Sequence, residues 1–90
     1  MSKQPPADLR ERVFQFTCDV YDFCDELARV PGLPRRIAHQ LFDAAGSVGA
    51  NLEEAKAAYS RRDFAAKTSI SLKECRESKY WLQVASAKGS

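Results

Sequence analysis

"AAGSVGANLEEA", residues 44–55, places two glycines, Gly46 and Gly49, in a chain whose other signals are helical. Each glycine costs a helix interior about 1 kcal/mol relative to alanine. Read as a loop, the GxxG spacing resembles the backbone clamp of KH domains. Such clamps carry basic residues between the glycines and lie beside a sheet. Here Ser47 and Val48 intervene, and no strand-like alternation flanks them. Read as a helix, the segment keeps one phase: Ile37, Leu41, Ala44, Val48, Leu52, Ala55 and Tyr59 recur at three- and four-residue intervals through both glycines. That periodicity predicts a helix starting near Pro34, which a first turn tolerates. Ala44, Ala45, Gly46, Gly49 and Ala50 then offer a small-residue strip on which a second helix backbone can close, with dispersion offsetting the lost propensity.

Upstream, Leu9, Val13, Phe16, Val20, Phe23 and Leu27 are spaced 4-3-4-3-4, and Phe14, Tyr21, Cys24 and Ala28 widen the stripe. This predicts a first helix after Pro5-Pro6 with Asp8 as N-cap, ended by "VPGLP" at residues 30–34. Downstream, "YSRRDF" (residues 59–64) reads as a capping box, Ser60 to Asp63, with Tyr59 and Phe64 as a hydrophobic staple. A third helix is expected from about Arg61. Phe64, Thr68, Leu72, Cys75, Leu82 and Ala85 line one side, with Ile70 and Trp81 beside them. The fold class expected is all-α: an antiparallel up-and-down bundle, with three helices in one domain spanning 1–90. Residues 1–7 are expected to form a disordered tail and 87–90 a frayed end.

Ninety residues allow one small domain, which packs well or associates. No apolar run approaches the roughly 18 residues of a membrane span, and the polar N-terminus lacks the core of a signal peptide. A cytoplasmic location without membrane contact is the expectation. Cys18, Cys24 and Cys75 form no CxxC pair and His39 is the only histidine, so buried free thiols are expected rather than zinc ligands. No metal and no cofactor is expected. Net charge is +2, unevenly spread: residues 1–29 hold four basic and six acidic groups, residues 30–90 ten and six. A merely solvated surface is the default reading; opposed blocks of this kind point beyond it to a polyanion or head-to-tail self-association.

Ser47, Asn51 and Glu54 form one helical row, and Ser71, Glu74 and Ser78 another, with Glu77 next to it. Facing rows of this kind form a buried hydrogen-bond network that fixes register. A di-iron site needs Glu-x-x-His motifs that this chain lacks, and no nucleophile has a histidine base nearby. Ser47, Asn51, Glu54, Ser71 and Glu74 are therefore assigned to structure, and no residue to catalysis. Arg61, Arg62, Lys67, Lys73, Arg76 and Lys79 form a basic set able to neutralise phosphates.

"SVGANLEEA", "SRRDF" and "SISLKECRESKYWL" together resemble a known family. Its members are the bacterial four-helix bundle proteins encoded within intervening sequences of large-subunit ribosomal RNA genes. The accessory variability determinant proteins of diversity-generating retroelements share the fold. The family pattern falls on Ser47, Val48, Asn51, Leu52 and Glu54, on Ser60, Asp63 and Phe64, on Ser71, Leu72 and Glu74, and on Trp81-Leu82. Ala55 replaces the usual glycine, which favours continuous helix. Members carry a fourth helix beyond the three read here, so further chain or a neighbouring subunit is expected to supply that face. The resemblance implies no enzyme. Retroelement relatives form basic homopentameric barrels and bind nucleic acid and a reverse transcriptase. The expected function is a self-associating, non-enzymatic nucleic-acid or ribonucleoprotein accessory; the alternative is a protein–protein interaction module with no nucleic-acid role.

Overall fold

Gly32 turns the chain between the first two helices, because its φ of 92° is a value that L side chains rarely adopt. In the computed structural model, which describes residues 7–88, the elements are α1 (Ala7–Leu27), α2 (Leu33–Lys56) and α3 (Arg61–Ala87). Pro34 sits in the first turn of α2, where its missing N–H is no loss. Arg35 Nε donates to the Ala28 carbonyl at 2.7 Å and ties the two sides of this turn together.

Ser60 begins α3 as expected: its backbone is extended and its Oγ accepts from the Asp63 N–H at 3.1 Å. The staple does not form. Tyr59 is 96% exposed and lies outside α2, which ends at Lys56. Tightened bonds from Ala57 N–H to Glu54 O and from Ala58 N–H to Ala55 O, both 3.1 Å, close α2 and lead Tyr59 away from Phe64. Asp8 is not the cap: it lies within the first turn of α1, which starts at Ala7, and its charge complements the helix dipole there. Of the expected tail, Ala7 is helical and residues 1–6 lie outside the described part. At the other end Lys88 N–H closes on Val84 O, and residues 89–90 lie outside it.

α2 is the central element. It packs against α1 on one side and more extensively against α3 on the other, while the backbones of α1 and α3 do not approach each other. Val20 and Cys24 of α1 meet Ala38, Leu41 and Ala45 of α2 in the core, with Phe16, Phe23, Leu27, Trp81 and Leu82 partly buried around them. All described regular structure is helical, in an all-α bundle arrangement.

Two expectations about packing are corrected. The glycines do not make the close approach. A Cβ on Gly46 would meet nothing within 4 Å, and one on Gly49 would make only ordinary contacts with Val13 Cγ1 (3.6 Å) and Thr17 Oγ1 (3.7 Å). The alanines make it instead: Ala38, Ala44, Ala45 and Ala55 are essentially inaccessible. The buried line of α3 also differs from the apolar stripe. Leu72 is 53% exposed, and Thr68 and Cys75 face solvent. Ser71, Ser78 and Ala85, seven residues apart, are buried in their place. Ser71 Oγ donates across the interface to Val48 O at 2.8 Å, and Ser78 Oγ donates to Glu74 O of its own helix at 2.9 Å. With its hydroxyl satisfied, a serine packs nearly as compactly as alanine and lets two helices close.

Opposite outcomes are expected at these positions. Ser78→Leu overpacks the interface and should destabilise the fold by about 1–3 kcal/mol. Gly46→Ala enters open space in a helix and should stabilise it by about 0.5–1 kcal/mol. Urea titrations followed by helical circular dichroism measure both.

Candidate functional site

Once α3 buries its Ser71–Ser78–Ala85 line, its basic residues turn outward. Arg61, Arg62, Lys73, Arg76 and Lys79 are exposed and Lys67 is half-buried. None of these six makes an ion pair among the described residues, whereas on α1 and its exit Arg10 pairs with Glu53 (3.7 Å) and Arg29 with Asp25 and Glu26 (3.6 and 3.7 Å). The arrangement is thus a row of unneutralised cations along one helix. Arg62, Lys73, Arg76 and Tyr80 share its outermost face, over about 27 Å at the usual rise of 1.5 Å per residue.

Sequence reasoning missed two members of this surface. Tyr59 had been placed in the core stripe and the staple, yet it stands free beside Arg61 and Arg62. Tyr80, 57% exposed, packs edge-on against Trp81 at 5.1 Å, and Trp81 Nε1 donates to Glu77 Oε2 at 3.2 Å. An aromatic next to unpaired cations is the pairing that single-stranded nucleic acid uses, with the ring stacking and the cation meeting phosphate. The signal available for Tyr80 was its place opposite Ser71 and Ser78 on the helix, which is legible only after the buried line of α3 is known.

The five residues assigned to a polar network lie close to the α2–α3 interface in different ways. Ser71 reaches across it, but its acceptor is the Val48 backbone and not a side chain of the other row. Asn51 Nδ2 is satisfied within its own helix by Ser47 O at 2.8 Å. Glu74 is half-buried, and its carbonyl receives Ser78. Glu54 is exposed, and its carboxylate makes no hydrogen bond or ion pair among the described residues. Register between α2 and α3 thus rests on one hydroxyl–carbonyl bond and on small-residue fit.

A second feature is an apolar groove of about 620 Å³ where the end of α1, the start of α2 and the end of α3 converge. Phe23, Leu27, Leu33, Ile37 and Val84 form its walls, with Glu26 and Lys88 as its ionic groups. Among the described residues, no group of three or more His, Cys, Asp or Glu is placed to hold a metal ion, and no helix is long and apolar enough to cross a membrane.

The family model for the 23S rRNA-intervening sequence protein matches residues 7–90, which takes in all three helices and the Ser47–Glu54 and Ser71–Glu74 rows. The chain belongs to this family. No curated protein and no solved structure matches it. Of the residues that carry the likeness to intervening sequence proteins, Ser71 and Leu52 are buried, Asn51 and Glu74 partly so, and Glu54 and Leu72 exposed.

The three thiols of this family member differ in environment. Cys24 is buried, and desolvation raises its pKa above the usual thiol value; Cys18 is half-buried and Cys75 exposed. A raised pKa leaves less of the reactive thiolate at neutral pH. Alkylation at pH 7 is therefore expected to modify Cys75 first and Cys24 only on unfolding, as read by mass spectrometry of the digested protein.

Proposed function

We propose that this intervening sequence protein is a non-enzymatic, self-associating helical bundle that serves as a nucleic-acid or ribonucleoprotein accessory. The observation that carries the reading is the row of α3 cations without ion-pair partners, with Tyr59 and Tyr80 exposed among them. Arg62, Lys73 and Arg76 would neutralise phosphates, and Tyr80 would stack a base from the same helical face. RNA or DNA is the proposed ligand and the cytoplasm the proposed location. The family's retroelement branch adds a reverse transcriptase as the protein partner to try first.

Fluorescence anisotropy with a labelled single-stranded RNA, titrated across salt concentrations, tests the reading. Binding should weaken linearly on a log–log plot, and each of Arg62→Ala, Lys73→Ala and Arg76→Ala should reduce the slope by about 0.7. Tyr80→Ala should lose about 1–3 kcal/mol of binding and leave the slope unchanged. A salt-independent signal, or no binding at low salt, would overturn the proposal. The apolar groove at the end of the bundle favours a second reading, a protein-interaction module with no nucleic-acid role. In that case a partner complex would survive nuclease treatment and fail on substitution of Leu27 or Ile37 by charge.

A further inference from the structure

Phe14 and Tyr21 are 66% and 59% exposed, far more than aromatic rings on an amphipathic helix usually are. They lie seven residues apart on one face of α1, and Phe42 of α2 meets Tyr21 edge-on at 5.9 Å. The result is an exposed aromatic ridge along the α1–α2 pair, formed by the Tyr21–Phe42 contact with Phe14 two turns away. The helix that carries two of the three rings is acidic. α1 carries six acidic and two basic groups, and Asp22 and Asp43 beside the ridge make no ion pair among the described residues. A bare aromatic ridge of this kind marks a contact surface.

α3 offers a counterpart of opposite charge. It carries six basic and three acidic groups. Arg61, Leu72 and Lys79 lie about three and five helical turns along one flank, and Leu72 is exposed there. Beyond Lys79 the surface forms a shallow hollow with Leu82 at its floor and the small side chains of Ser86 and Ala87 on its rim. One surface is a protruding apolar ridge with unpaired acids. The other is a flank with exposed Leu72, a hollow beyond Lys79 and unpaired bases. The same ridge set against itself would oppose carboxylate to carboxylate, which disfavours a self-matched contact.

We infer that the occupant of the Phe14–Tyr21–Phe42 ridge is the Arg61–Leu72–Lys79 flank of a second copy of this chain. This rests on the self-association proposed above and specifies its interface: a joint between two different surfaces, the geometry that builds rings or chains of subunits. It leaves Arg62, Lys73 and Tyr80, on the outermost face of α3, open to nucleic acid.

Charge reversal with complementation tests the interface. One variant carries Asp22→Lys and Asp43→Lys, the other Arg61→Glu and Lys79→Glu; all four positions are exposed, and circular dichroism checks the folding of each. Light scattering and sedimentation of the native chain at low salt should give assemblies that dissociate as salt rises. Each variant alone should require at least about tenfold more protein to assemble. An equimolar mixture should recover assembly, because the reversed ridge of one variant complements the reversed flank of the other, and their retained surfaces pair as in the native chain. If the native chain is monomeric at every concentration, self-association itself fails. If the native chain assembles and the variants assemble equally well, or the mixture shows no recovery, this interface is wrong and the self-association proposal stands on another surface. Phe14→Ser, which changes no charge, should weaken assembly as well, and native-like assembly of that variant would also count against the ridge.

Discussion

α2 has to be buried along two sides at once, and every other feature of the molecule follows from how it manages this. A helix flanked by two neighbours needs side chains small enough on both flanks for the backbones to approach, together with one bulky line between them to exclude water. Leu41, Val48 and Leu52 provide that line, while Ala38, Ala44, Ala45 and Ala55 provide the flanks. On the α3 side, serine completes the fit. Ser71 contributes one hydrogen bond across the interface, worth about 1 kcal/mol net. Its larger contribution is negative in kind, since any longer side chain there would push α3 away.

That choice has a consequence for the outer surface. Because α3 spends its inward line on Ser71, Ser78 and Ala85, its larger apolar residues lie to either side, with Ile70 and Leu72 exposed on opposite flanks. Its cations are then free of ion-pair partners among the described residues, since the acidic helix α1 sits across α2 and its backbone does not approach that of α3. A chain of small net charge thereby becomes a strongly polarised body, acidic along one helix and basic along another. Polarisation of this kind says little about stability and much about association.

Much of this was legible in the linear chain. The unbroken phase of Ile37 to Ala55 made the glycine-containing stretch a helix, and Ser60 with Asp63 marked the start of α3 to the residue. The family was equally legible, and its model matches residues 7–90. The inward face of α3 was not. Hydrophobicity ranked Leu72 and Cys75 above Ser71 and Ser78, and no local rule says that a serine finds its acceptor on another helix. Tyr59 misled for a related reason: its spacing fitted the α2 stripe, but the helix had already ended at Lys56.

The sequence by itself thus determined the number of helices, their boundaries to within a residue or two except at the end of α2, and the family, since periodicity, caps and breakers act over a few residues. Tertiary structure decided which line of α3 turns inward, that alanines and not glycines carry the close contacts of α2, and that Phe14, Tyr21 and Tyr80 stand exposed. Those outcomes depend on the fit between surfaces distant in the chain, where volume and hydrogen-bond satisfaction outweigh the hydrophobicity of any single residue.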